Sequence, residues 1–226
     1  MFKNIPKVTR NLLIINIILF VATLINEEFM VRSFALFYPA SQYFRPWQII
    51  THMFMHGGVW HIVFNMYALV MFGSIIERTI GEKKFLILYF VCGLGAVALH
   101  LGVQYIQAQT FLNGIADGSA TAASNYAALK MTPTLGASGA IYGLLIAYAM
   151  LFPDARLSLI FLPFTSMSSK TWVIIFAVIE LLTGITGTVS GVAHFAHLGG
   201  MLFGWLLIRY WKKKGTLFND YQGYGY

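Results

Sequence analysis

Two short glycine-flanked runs hold the side chains that could do chemistry in this chain. One is Leu135-Gly136-Ala137-Ser138-Gly139-Ala140-Ile141-Tyr142-Gly143, where Ser138 follows a polar stretch and opens an apolar one. The other is Ala196-His197-Leu198-Gly199-Gly200-Met201-Leu202-Phe203-Gly204. A serine hydroxyl is a weak nucleophile until a base takes its proton, and histidine is the commonest such base. Gly200 and Gly204 fall three and seven residues after His197, on its own helical face. Gly139 and Gly143 leave the serine helix equally smooth, and small faces let helix backbones approach closely. Close approach is what would bring Ser138 Oγ within ~3 Å of His197. Tyr142, one turn after the serine, is placed to pack on the imidazole. Acyl transfer also needs donors for a developing oxyanion. His61 and Asn65, four apart on one helical face, could supply them together with the backbone N–H of Ser138.

The elements that must position these groups are membrane helices. Of 226 residues, 58% are hydrophobic and 10% are charged, against about 25% charged in soluble domains. Six apolar spans are expected, at roughly 11–26, 58–76, 85–103, 135–152, 172–185 and 193–211. They make an all-α polytopic membrane bundle, one domain over 1–226 with its core at about 11–211 and short basic tails. The first span reads as a retained anchor, because no small-residue cleavage site follows it. The net charge of +7 does not indicate nucleic acid, since the cations sit at helix ends and form no aromatic-laced basic face. Of 15 Lys and Arg residues, only Arg32, Arg45 and Lys130 fall on the outer side if both termini are cytoplasmic, which satisfies the positive-inside rule. The lone Cys92 reads as a small buried hydrophobe.

That orientation assigns depths. Ser138 lies 15 residues before Pro153, the inner end of its span. It therefore stands ~22 Å above that end, roughly 8 Å below the outer edge of a ~30 Å hydrocarbon core. His197 lies 12 residues before Arg209, and His61 and Asn65 lie 16 and 12 before Glu77. Their heights are about 18, 24 and 18 Å. Singly, a serine among glycines is ordinary packing, and a His–Asn pair is an ordinary interhelical bond. At one depth on three parallel spans they mark one site.

No carboxylate is obviously placed to orient His197. Asp117 belongs to a polar outer stretch, Asp154 to the wrong end of its span and Asp220 to the tail. Glu180, the one acid deep in a span, reads as a packing or interhelical hydrogen-bond residue, which leaves a Ser-His dyad. A rival chemistry is zinc held by some of His52, His56, His61, His194 and His197, which include i,i+4 and i,i+3 pairs. With no acid or cysteine beside them, and Ser138 unexplained, that reading is set aside; no metal or cofactor is expected. Two further segments are read as loops. Residues 30–57, with Phe34, Phe37, Tyr38, Tyr43, Phe44 and Trp47, suit the outer interface. Residues 104–132 read as a flexible polar outer loop.

Gly136-Ala137-Ser138-Gly139 with Tyr142, His197 with Gly200 and Gly204, and His61-Ile62-Val63-Phe64-Asn65 together resemble the rhomboid intramembrane serine proteases. The resemblance implies a six-helix core with a water-filled cavity open to the outside, Ser138 as nucleophile and His197 as general base. It implies an oxyanion hole from His61, Asn65 and the Ser138 amide. It also implies support of the first loop by His52 and His56, a cap at 187–192 and a lateral gate at the fifth span. The chain departs from the family where Trp47-Gln48 replaces a frequent Trp-Arg, where His194 stands at a position that is often Asn, and where Ala193 replaces an Asp found in some members.

The expected function is a serine endopeptidase that cuts single-span membrane proteins within the bilayer near its outer face. A non-catalytic rhomboid-like protein that binds membrane helices is the alternative. The compact six-span form and the charge bias point to a bacterial inner membrane.

Overall fold

The structure is a computed structural model that describes residues 4–159, 162–186 and 191–218. Every expected apolar span is helical. Helix α1 (Lys7–Ile25) leads into a short amphipathic α2 (Glu27–Phe34), whose first turn is capped by Asn26 accepting from the Phe29 amide at 3.1 Å. A tight α3 (Gln48–Thr51) runs into a 3-10 turn at His52–Phe54. The second span is α4 (Val59–Ala68) continued through a π turn at Leu69–Gly73 into α5 (Ser74–Ile80). Then come α6 (Glu82–Ala116), α7 (Ala120–Met131), α8 (Ser138–Leu151), strands β1 (Arg156–Leu159) and β2 (Leu162–Ser168), α9 (Ser169–Ile185) and α10 (Gly191–Lys213). The strands form an antiparallel hairpin that pairs Arg156 with Ser168 and Leu157 with Met167.

Helix α8 is the hub. It packs on α6, α9 and α10, and the core around it includes the fully buried Leu69, Phe85, Leu88 and Leu144. Around this core the outer surface is apolar. Ile18, Leu24, Ile25, Ile106, Leu182 and Ile185 are all exposed. An apolar exterior of this extent belongs in hydrocarbon, and among the described residues three helical stretches (Lys7–Ile25, Val59–Ile80 and Glu82–Ala116) are long and apolar enough to cross a membrane. The chain is an integral, multi-pass membrane protein. Helix α8 has only 14 residues, or ~21 Å at 1.5 Å per residue. It is therefore shorter than the hydrocarbon core, and its N-terminus begins inside the protein, with Gly136 and Ala137 buried.

One expectation about loops changes. The segment 104–132 is helical, because α6 runs on to Ala116 and α7 follows. Its alanines and glutamines favour helix, Gly118 breaks the chain at φ +82°, and Ser119 caps α7 by accepting from the Ala122 amide at 3.2 Å. The first loop is knotted by Gln48. Its Oε1 accepts from the Arg45 amide at 3.0 Å, and its Nε2 donates to the carbonyls of Arg32 and Tyr43, each at 3.0 Å. One buried amide thus ties together distant parts of the loop.

The bundle ends are fixed by polar contacts as well. Buried Glu77 accepts from the amides of Val8 at 2.8 Å and Thr9 at 2.7 Å, and from the Thr9 hydroxyl at 2.7 Å. These are first-turn donors of α1 that the helix itself cannot satisfy.

Candidate active site

The chain enters α8 through a pinned loop. Leu36 and Thr134 exchange backbone hydrogen bonds at 2.8 Å, the Thr134 hydroxyl meets His100 Nε2 at 2.7 Å, and the Gly136 amide donates to the His52 carbonyl at 2.9 Å. Gly136 then turns with φ +135°, and a Cβ there would stand 3.0 Å from the His61 ring. Both the dihedral and the space require glycine. Ser138 is the first helical residue. Its amide belongs to the first turn of α8, whose N–H groups have no partner in the helix and point towards its mouth.

His197 reaches Ser138 because α10 and α8 touch backbone to backbone. A Cβ on Gly200 would stand 1.9 Å from the Gly139 carbonyl oxygen, and one on Gly204 2.7 Å from that of Gly143. Gly199 makes the same kind of approach to α6, at 2.8 Å from the Gly95 carbonyl oxygen. His197 Nε2 consequently lies 2.8 Å from Ser138 Oγ. The Tyr142 ring lies flat on the imidazole, with centroids 4.1 Å apart and planes at 8°.

His61 and Asn65 face the same space from α4. Together with Ser138 and Tyr142 they line a cavity of ≈ 690 Å³ that runs between α4 and α9, bounded by Trp60, Phe64, Trp172 and Phe176. The Gly57 amide donates to His61 Nδ1 at 3.4 Å, so the opposite nitrogen carries the ring proton and is a donor. Asn65 Nδ2 spends one hydrogen on the His61 carbonyl at 2.8 Å and keeps a second. His56 is buried behind His61, ring edge to ring face at 5.0 Å. Burial first, and the neighbouring His61 second, pull the His56 pKa down to about 4. Burial likewise lowers that of His52 to about 4, with His100 adding a smaller push, although the Gln48 carbonyl 2.9 Å from its Nδ1 opposes the shift.

One side chain has a larger place than its sequence context suggested. Glu180, buried on α9, receives the Tyr142 hydroxyl on Oε1 and His194 Nδ1 on Oε2, the latter at 2.5 Å. Its Oε1 is also 3.0 Å from His197 Nδ1. The interhelical hydrogen-bond role expected for Glu180 is present. The expectation that no carboxylate stands near the imidazole is not met, nor the companion expectation that no acid accompanies the histidines. The depth arithmetic reaches the same residue. Glu180 is five residues from Ile185, the C-terminal end of α9, hence ~8 Å from it; with both termini cytoplasmic, as the charges lead one to expect, that equals the depth expected for Ser138.

Glu180, His194 and His197 are the group of potential metal ligands that comes together among the described residues. Zinc bonds of about 2.0–2.1 Å in tetrahedral geometry hold donor atoms some 3.3 Å apart. The 2.5 Å spacing of His194 Nδ1 and Glu180 Oε2 is that of a hydrogen bond. The other candidate zinc residues, His52, His56 and His61, do not join this group. The expected cap at 187–192 falls outside the described residues, apart from the backbone at the start of α10.

A serine–imidazole pair sunk beneath the surface of a helical membrane bundle is thus the centre of this protein. The Rhomboid domain family model matches residues 43–214, and the chain belongs to the rhomboid family. Similar relatives include the zebrafish (Danio rerio) presenilin-associated rhomboid-like protein A, mitochondrial, 31% identical over 84% of this chain and 45% of its own length. Arabidopsis thaliana RHOMBOID-like protein 12, mitochondrial, is 32% identical over 77% of this chain and 49% of its own. Arabidopsis RHOMBOID-like protein 4 is 30% identical over 71% and 33%. The chain thus spans less than half the length of each. The relatives whose names give a compartment are mitochondrial, so they do not support the expected bacterial inner membrane.

Proposed function

We propose that this chain is an intramembrane serine endopeptidase. The observation that carries the reading is the 2.8 Å approach of His197 Nε2 to Ser138 Oγ at the wall of a cavity open between α4 and α9. In the proposed reaction His197 takes the Oγ proton as the oxygen attacks a scissile carbonyl. The Ser138 amide, His61 and Asn65 donate to the resulting oxyanion. His197 then passes its proton to the leaving amine, and an ester on Ser138 remains. Water, deprotonated by the same imidazole, hydrolyses the ester and restores the hydroxyl.

The substrates proposed are single-span membrane proteins. The apolar walls of the cavity suit a chain segment that arrives from lipid, and a helix must unwind locally before its amide can be attacked. Segments with glycine or other poor helix formers near the cut are therefore favoured. The charge distribution supports six crossing spans with both termini cytoplasmic, which puts the cut near the outer face.

The test uses purified protein in liposomes with a single-span reporter. Ser138→Ala and His197→Ala are each expected to abolish cleavage, and a fluorophosphonate should label the wild type at Ser138. Undiminished cleavage by Ser138→Ala would overturn the reading. Failure of the wild type to cleave or to label would favour a non-catalytic helix-binding protein.

A further inference from the structure

We infer that Glu180 is a positioning residue for His197, which makes the serine–histidine pair the working end of a three-membered relay. The inference rests on the serine-protease reading above. His197 Nδ1 is buried and has no aligned hydrogen-bond partner among the described residues. Its one ion-pair neighbour there is Glu180 Oε1 at 3.0 Å, short in distance and poor in angle. The carboxylate itself is held from two sides, by the Tyr142 hydroxyl on Oε1 and by His194 Nδ1 on Oε2. Tyr142 also stacks on the imidazole. Tyr142 therefore fixes the ring plane and, with His194, the acceptor beside it.

The chemistry follows from tautomers. A neutral imidazole carries its proton on one nitrogen, and only the Nδ1–H form leaves Nε2 free to accept from Ser138. A carboxylate beside Nδ1 selects that form. When Nε2 takes the serine proton, the ring becomes a cation, and the carboxylate stabilises it without taking a proton of its own. If Glu180 were only a packing residue, its neutral isostere would serve as well. A relay requires the charge.

Glu180→Gln keeps shape and one acceptor oxygen while removing the charge. The expected result in liposomes is a fall in kcat of about 10²- to 10⁴-fold, with KM and thermal midpoint close to wild type. Glu180→Asp, which keeps the charge one methylene short, should recover at least about tenfold of that loss. A kcat for Glu180→Gln within about threefold of wild type overturns the relay, provided Ser138→Ala is inactive in the same assay. If Ser138→Ala is active, the serine reading itself has failed. Should Glu180→Gln not fold, His194→Gln carries the test, because it loosens Oε2 and leaves the carboxylate in place. A lowered kcat at unchanged KM then supports the relay, and an unchanged kcat overturns it.

Discussion

The sharpest mechanical test of the site is a methyl group at Gly200. A Cβ there would stand 1.9 Å from the Gly139 carbonyl oxygen, whereas ordinary contact begins at 3.4 Å. The atom it meets is backbone, so no side chain can swing aside. Helices α8 and α10 must part by the difference, about 1.5 Å. Gly139 adjoins Ser138, and Gly200 is three residues from His197 on the same face. The separation therefore reaches the reacting atoms almost undiminished. It takes Oγ and Nε2 from 2.8 Å to roughly 4 Å, beyond hydrogen-bond range. Overpacking of this kind costs about 1–3 kcal/mol of stability, and a displacement near 1 Å at reacting atoms costs about 10² in rate. Gly200→Ala should thus fold with a modestly lowered midpoint and cleave at least about 10²-fold more slowly. The assay pairs thermal unfolding in detergent with reporter cleavage in liposomes. Gly102→Ala, whose Cβ would meet nothing within 4 Å, is the control and should keep full activity. Wild-type kcat in folded Gly200→Ala would refute the claim that the glycine contact sets the Ser138–His197 distance.

Three further outcomes follow from the same contacts. Asn65→Ala should lower kcat by about 10²–10³ with little change in KM or stability, and a rise in KM at constant kcat would move Asn65 from the oxyanion hole to substrate binding. Glu77→Ala should cost about 3 kcal/mol in denaturant unfolding, since it strands buried donors at Val8 and Thr9; a loss below about 1 kcal/mol would show that water satisfies them. His52 and His56 are held neutral in the fold, at about 4 against 6.5 when free. Between those values the unfolded chain binds more protons, so stability falls as pH drops through 6.5 towards 4, by at most about 3 kcal/mol for each histidine. Stability that stays flat from pH 7 to 4.5 in unfolding measurements would refute this assignment.

Much of the site was legible because membrane helices turn spacing into depth. A serine, two histidines and an asparagine expected at one height on parallel spans, with glycines at i+3 and i+7 from His197, leave few other arrangements. The glycines that packed α8 on α10 were readable for the same reason. What escaped was context that sequence periodicity does not encode. Segment 104–132 looked like a loop because its polarity hides helix formers such as Ala120, Ala122 and Ala123. Glu180 read as a packing or interhelical hydrogen-bond acid with no named partner, because Tyr142 and His194 lie 38 and 14 residues away and no local pattern joins them. The depth arithmetic applied to the serine would have reached the glutamate as well. Gln48, where the family often has arginine, stood in the sequence only as a departure. Its amide has both acceptor and donor atoms, and it ties the first loop through both.

Helix α9 faces two ways along one rod. Its first turns, at Trp172, Val173 and Phe176, wall the cavity, and one turn later Glu180 reaches the imidazole. A guest wide enough to push α9 away from α4 must also draw the carboxylate off His197. On the proposed relay the base would lose its carboxylate while the gap was widest and regain it only with α9 back in place. Under that proposal substrates would be sorted by dwell time, since a segment that left before α9 returned would meet a serine without its oriented base.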